Sequence, residues 1–139
     1  MWTKEYTGES AAGAERLFNV LADTAAWPEW NAGVSRVDMS GPFAEGTEAV
    51  MVLPDHTALP FRFIWVEAGR GFEDETAVPD TGVVVRVRHE LIPVDCGTRI
   101  VYRCVAEGPD KVAAEVGAAV SADFPEVIAA LATRAERAE

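Results

Sequence analysis

Residues 110–139, DKVAAEVGAAVSADFPEVIAALATRAERAE, decide how the rest of the chain must be arranged. Val112, Val116, Val120, Phe124, Ile128 and Leu131 recur every three or four positions and make one apolar stripe on a helix. At roughly 1.5 Å per residue, about 28 residues reach some 40 Å, enough to cross a small domain. Pro125 removes one backbone hydrogen bond in the middle and predicts a kink. Proline suits the first turn of a helix, so two packed segments are expected, with Ser121 or Asp123 capping the second. Such a stripe needs a broad apolar surface to lie on.

The chain before it supplies strands. Residues 2–8 alternate, and from Val34 onward the pattern has period two, with strands expected at 34–40, 47–53, 60–67, 72–78, 83–93 and 98–107. The turns between them, among them AGRG, PDTG and DCG, are short enough for hairpins, so the sheet is expected to be antiparallel. Between the first two strands, Leu17, Phe18, Val20 and Leu21 predict a helix over 10–23, with Ser10 available as its cap. A short helical turn carrying Trp27 and Trp30 follows, limited by Pro28 and Gly33. The two tryptophans either plug one end of the core or line a ligand entrance.

Counting back from a four-residue PDTG loop sets Val78 opposite Val83, Glu75 opposite Arg86 and Glu73 opposite Arg88. Each opposite-charge pair is worth roughly 0.2–1 kcal/mol. A two-residue turn at 69–70 sets Trp65 opposite Asp74, and a turn at 95–96 sets Tyr102 opposite His89. One face then carries Phe61, Phe63, Trp65, Phe72, Val85, Val87, Leu91, Ile100 and Tyr102, with Asp74, Thr76 and His89 among them. The other carries a solvated ladder of Arg and Glu that includes Arg62. Were the face of that strand reversed, Arg62 would enter the interior and favour an acidic ligand. Val50, Val52, Ile64, Val66 and Val84 also point outward, as scattered surface residues or as a homodimer contact.

Three stretches, AERLFNVLADTAAWPEW, FRFIWVEAGRGFEDET and VVVRVRHELIPVDCGTRIVYRCVAEG, together with the proline-broken terminal helix, resemble the START-like helix-grip superfamily in its polyketide cyclase/dehydrase branch. The resemblance covers nearly the whole chain and rests on the pattern of elements. One departure is Gly13, where relatives often have proline. The resemblance implies an α+β fold: a seven-stranded antiparallel sheet wrapped around a long kinked C-terminal helix, with two short helices between strands 1 and 2. It also implies a cavity for an apolar small molecule. Lipid and hormone carriers, birch-pollen-type allergens and polyketide cyclases share that plan, so membership alone does not select an activity.

The 139 residues suit one domain, 1–139, with a core large enough to need no metal or disulfide. A net charge of −11 and a pI near 4.6 argue against nucleic acid and anionic membrane surfaces as partners. No apolar run approaches the ~20 residues of a spanning helix, the N-terminus lacks a signal-peptide core, and a cytoplasmic protein is expected. The two cysteines, Cys96 and Cys104, read as reduced and structural. No nucleophile, phosphate-loop or metal-ligand motif is present, and no cofactor is expected.

The informative set is Asp74, His89 and Tyr102 on an otherwise apolar face. Such groups must bond to each other, to water or to a ligand. Three roles stay open: a satisfied structural network, orientation of a ligand, or acid–base catalysis in which His89 moves a proton while Tyr102 polarises a carbonyl. The expected ligand-binding surface is Trp65, Asp74, His89, Tyr102, Val116, Val120 and Phe124. Its expected occupant is a hydrophobic small molecule, bound unchanged or cyclised and dehydrated as a polyketide would be.

Overall fold

The structure, a computed structural model, describes residues 1–137. The final two positions of the C-terminal stretch therefore lie outside the described residues. Seven strands form one antiparallel sheet: β1 (Trp2–Ser10), β2 (Arg36–Met39), β3 (Glu48–Val52), β4 (Ala58–Glu67), β5 (Gly71–Val78), β6 (Val83–Val94) and β7 (Gly97–Glu107). Their order across the sheet is β1-β7-β6-β5-β4-β3-β2, a meander from β2 to β7 with β1 added beyond β7. Helix α1 (Ala14–Ala22) and a 3₁₀ turn (Thr24–Glu29) join β1 to β2.

The terminal stretch forms α2 (Asp110–Ser121) and α3 (Phe124–Glu136). The break falls at residues 122–123, just before Pro125, which sits in the first turn of α3 where its missing N–H costs nothing. Neither expected cap is used in that role. Asp123 makes no side-chain cap bond. Ser121 Oγ instead donates to the Gly117 carbonyl at 2.8 Å and bonds the Tyr6 hydroxyl at 2.7 Å, tying the end of α2 to β1. In α3 the expected stripe is buried at Phe124, Ile128 and Leu131, whereas in α2 the buried row is Ala113, Gly117 and Ser121, one residue beyond Val112, Val116 and Val120, which are half-buried at its edge. Gly117 lets α2 close on the sheet, because a Cβ there would collide with the Trp2 ring. Counted as one unit, residues 110–136 are long and apolar enough to cross a membrane, although the buried side here lies against strands.

Ser10 does not cap α1. That helix starts later, with Gly13 at its N-cap. Ser10 ends β1, and its hydroxyl is shared between the Ala132 carbonyl at 3.2 Å and Glu136 at 2.8 Å. It fastens the sheet edge to α3.

Val78 pairs with Val83, Glu75 with Arg86, Glu73 with Arg88 and His89 with Tyr102, as the charge pattern requires. The β4–β5 register differs. The turn there is one residue longer, with Glu67 opposite Gly71, and both Gly69 and Gly71 adopt positive φ. That shift reverses the facing of the last residues of β4. A β-bulge between Phe63 and Trp65 then reverses it again, so Phe61 and Phe63 still face inward. Phe63 lies opposite Asp74, Trp65 opposite Glu73 and Val66 opposite Phe72. Trp65 is therefore outside the cavity, under the Arg88 guanidinium at 3.9 Å from the ring centre. Val66 packs against the core and Val52 is buried, which leaves Val50, Ile64 and Val84 half-buried on the expected apolar outer patch. Arg62 is exposed and pairs with Glu75 at 3.4 Å, in line with a solvent-facing ladder.

Candidate functional site

The inner face of the sheet does not meet the helices along its whole length. Between β3–β7, the 3₁₀ turn and the α2–α3 junction lies a cavity of about 650 Å³. That is within the range of small-molecule sites. Its walls are mainly apolar. Phe61, Phe72, Val85 and Val87 come from the sheet, Trp27 from the 3₁₀ turn, and Val120, Phe124 and Val127 from the helices.

The 3₁₀ turn is held as one wall because the Trp27 indole N–H donates to the Leu21 carbonyl at 2.9 Å. The Trp27 ring stacks on Phe72, with centres 6.1 Å apart. Trp30 also lines the space, and its indole N–H is buried without a hydrogen-bond acceptor. Phe43, from the β2–β3 loop, wedges between Phe63 and Phe72 with centres 4.9 and 5.2 Å away, and packs behind the wall. Nothing in its turn-like sequence, GPFAEG, signals that inward role.

Asp74, His89 and Tyr102 all reach this cavity, as do Val120 and Phe124. Val116 packs against the core outside the lining, one turn too far from the kink. Asn31, Asp55, Thr76 and Asp123 complete the polar lining. Of these, Asp123 was legible only as a possible cap, because its position depends on where the helix breaks.

The imidazole of His89 is sandwiched. Phe72 stacks on it at 3.9 Å and Tyr102 meets it edge-on at 4.4 Å. Its Nδ1 lies 3.3 Å from the Phe72 carbonyl. A carbonyl only accepts, so Nδ1 carries the proton and Nε2 keeps a free lone pair. Burial holds the ring neutral by lowering its pKa to about 3. His89 is thus a poor proton acceptor at neutral pH. Asp74 behaves in the opposite sense: burial, reinforced by the neighbouring Glu73 charge, raises its pKa to about 7, against a smaller lowering by the Val87 backbone. Its remaining accessible surface faces the cavity. Burial also pushes the Tyr102 phenol upward, with Asp74 and Asp123 adding to the shift, so the hydroxyl stays protonated. Among the described residues no hydrogen bond joins Asp74, His89 and Tyr102, and the Asp74 carboxyl has no ion-pair partner.

A second depression, of about 680 Å³, lies between α1, the 3₁₀ turn and the end of α3. Arg134 there pairs with Glu29 at 2.6 Å, and Arg16 donates to the carbonyls of Ala135 and Arg137. These arginines close the helix end, and the convergent polar chemistry belongs to the inner cavity.

No family model matches the chain, and no curated protein matches it. Solved structures do. A norcoclaurine synthase from Thalictrum flavum, in complex with dopamine and hydroxybenzaldehyde, superposes with a TM-score of 0.80 at 14 % identity over 99 % of this chain and 89 % of that one. Ara h 8.0201 gives 0.70 at 14 % identity, covering 95 % and 98 %. The di-domain ARO/CYC StfQ from the steffimycin biosynthetic pathway gives 0.80 at 16 % identity, covering 96 % of this chain and 50 % of that protein. The chain has the helix-grip fold of START-like proteins. In this helix-grip chain the cavity lies between sheet and grip helix, and the kink at residues 122–123 brings Val120, Asp123 and Phe124 to its edge.

Proposed function

We propose that this protein binds an apolar small molecule in the cavity between sheet and C-terminal helix, oriented by Asp74, His89 and Tyr102. The observation that carries the reading is the cavity itself: about 650 Å³, mostly apolar, with a few polar groups whose bonding capacity is largely unused. Unused buried polar groups cost stability, and a ligand that satisfies them recovers it. The solved structures with this fold include one in complex with dopamine and hydroxybenzaldehyde. The two cysteines are free, which fits a reducing cytoplasm. Native mass spectrometry followed by denaturing extraction tests the reading. A single retained small molecule, lost when the cavity is filled by substitution, is the expected result; an empty protein that binds no apolar probe rejects it.

Proton transfer to a bound polyketide-like molecule is a second reading, favoured by one observation. Burial raises the Asp74 pKa to about 7 in a mainly apolar cavity, where a carboxylic acid acts as a general acid. Tyr102 would polarise a carbonyl, and His89, kept neutral, would accept a hydrogen bond at Nε2. Cyclisation or dehydration of an aromatic polyketide mimic, lost in Asp74→Asn, is the expected result. Binding without conversion rejects it.

A further inference from the structure

Every formally charged side chain lining the cavity is acidic: Asp55, Asp74 and Asp123. No lysine or arginine lines it, and its single imidazole is neutral. The carboxyl of Asp74 sits deep, with no cation and no side-chain donor bonded to it among the described residues; the Val87 backbone alone favours its charge. Arg86 and Arg88, on the adjacent strand, point to the other face, where they pair with Glu75 and Glu73. Phe72, Tyr102 and Phe124 line the same cavity as Asp74, and aromatic rings attract cations through their quadrupoles.

From this lining we infer that the preferred ligand is an apolar molecule carrying a protonated amine, with its ammonium paired to Asp74 and its body against the aromatic wall. The inference rests on the proposed small-molecule binding and adds the ligand's charge. A carboxylate ligand would meet three acidic groups with no compensating cation. A neutral ligand would leave Asp74 either protonated or unpaired. Only a cation gives the Asp74 carboxylate a charge-assisted hydrogen bond and neutralises its charge at the same time. Asp123, at the helix break near the Gly33 backbone, adds a second acidic group to the lining. The net charge of −11 steers cations toward the protein as a whole.

Protons compete for the same carboxyl. The titratable groups that share the cavity with Asp74 are His89 on β6, Tyr102 on β7, Asp123 at the helix junction and Asp55 in the β3–β4 loop; the Cys104 thiol on β7 feels its charge, and Glu73 acts on it from the opposite face of β5. None carries a positive charge at neutral pH, so the ammonium would be the sole cation in the site. Amine binding is therefore expected to weaken as pH falls below about 7, where Asp74 takes up a proton instead.

The test uses a naphthyl-ethylamine, the corresponding alcohol and the corresponding carboxylate, titrated calorimetrically at pH 8 and pH 6. The amine should bind about tenfold tighter than the alcohol at pH 8, with the carboxylate weakest. That preference should shrink at pH 6 while the alcohol's affinity stays level. Asp74→Asn should abolish the preference and its pH dependence, bringing amine and alcohol to equal affinity. Equal amine and alcohol affinities, tightest binding of the carboxylate, or an amine preference surviving in Asp74→Asn would overturn the inference and leave small-molecule binding standing. If none of the three binds, both readings fall. Should Asp74→Asn not fold, the wild-type pH dependence decides alone: a constant amine-to-alcohol ratio between pH 8 and 6 overturns the inference.

Discussion

The rings of Phe72 and His89 stack 3.9 Å apart, 13° from parallel, on directly paired positions of β5 and β6. The same two residues share the Nδ1–carbonyl contact, so one cross-strand pair fixes both the orientation and the tautomer of the imidazole. The cavity's polar side is set by this pair and by Asp74, two residues further along β5.

His89 and Asp74 impose opposite pH dependences on stability. The folded His89 pKa, about 3, lies below the ordinary 6.5, so acidification from 6.5 toward 3 protonates the unfolded chain and lowers stability. The folded Asp74 pKa, about 7, lies above the ordinary 3.8, so its contribution is complete below pH 3.8 and is lost as pH rises through 7. Between about pH 4 and 6.5 the two slopes largely cancel. Relative to wild type, Asp74→Asn should gain stability with rising pH, by at most about 1.4 kcal/mol per pH unit. His89→Gln should gain with falling pH. Urea denaturation across that range measures both, and flat difference curves would refute the assignments.

Phe63 is fully buried and touches Phe43, Phe61 and Phe72 ring to ring. Phe63→Ala should cost about 3–5 kcal/mol through lost transfer energy and an unfilled hole. The urea midpoint should fall with an unchanged m-value. A loss under about 1 kcal/mol would mean this part of the core collapses freely.

Trp65, by contrast, covers only the outer ladder beneath Arg88. Trp65→Leu should cost about 1 kcal/mol or less and leave ligand affinity unchanged. A weakened affinity would place the side chain inside after all.

The Tyr6 hydroxyl anchors the kink through Ser121 at 2.7 Å. Tyr6→Phe should lower stability by about 1 kcal/mol and raise amide exchange at residues 121–124. Unchanged exchange there would show that packing alone holds the break.

Much of the fold was legible because charge and apolar period agreed. Glu73–Arg88 and Glu75–Arg86 could be paired from spacing alone, and His89–Tyr102 followed from the tight turn at Asp95–Cys96. The facing of Trp65 was not legible. A longer glycine turn and a bulge at Ile64 shift the register twice, and either one leaves the strand's composition unchanged. The places of Val116 and Asp123 were hidden for a related reason: which helix residues reach the cavity depends on the break at 122–123, and an apolar stripe does not report where a helix bends. Asp74, His89 and Tyr102 stood out because polar residues on a dry face are costly. That they make no bonds with one another emerges only from their geometry.

The central claim is that the cavity, and no other surface, takes an apolar molecule. Fluorescence titration with prodan, a neutral apolar probe, against wild type and Val120→Trp tests it most directly, with circular dichroism confirming the fold of both. Saturable one-to-one binding that weakens about tenfold or more when the indole fills the cavity is the predicted result. Equal binding by the two proteins, or no saturable binding by wild type, would contradict it.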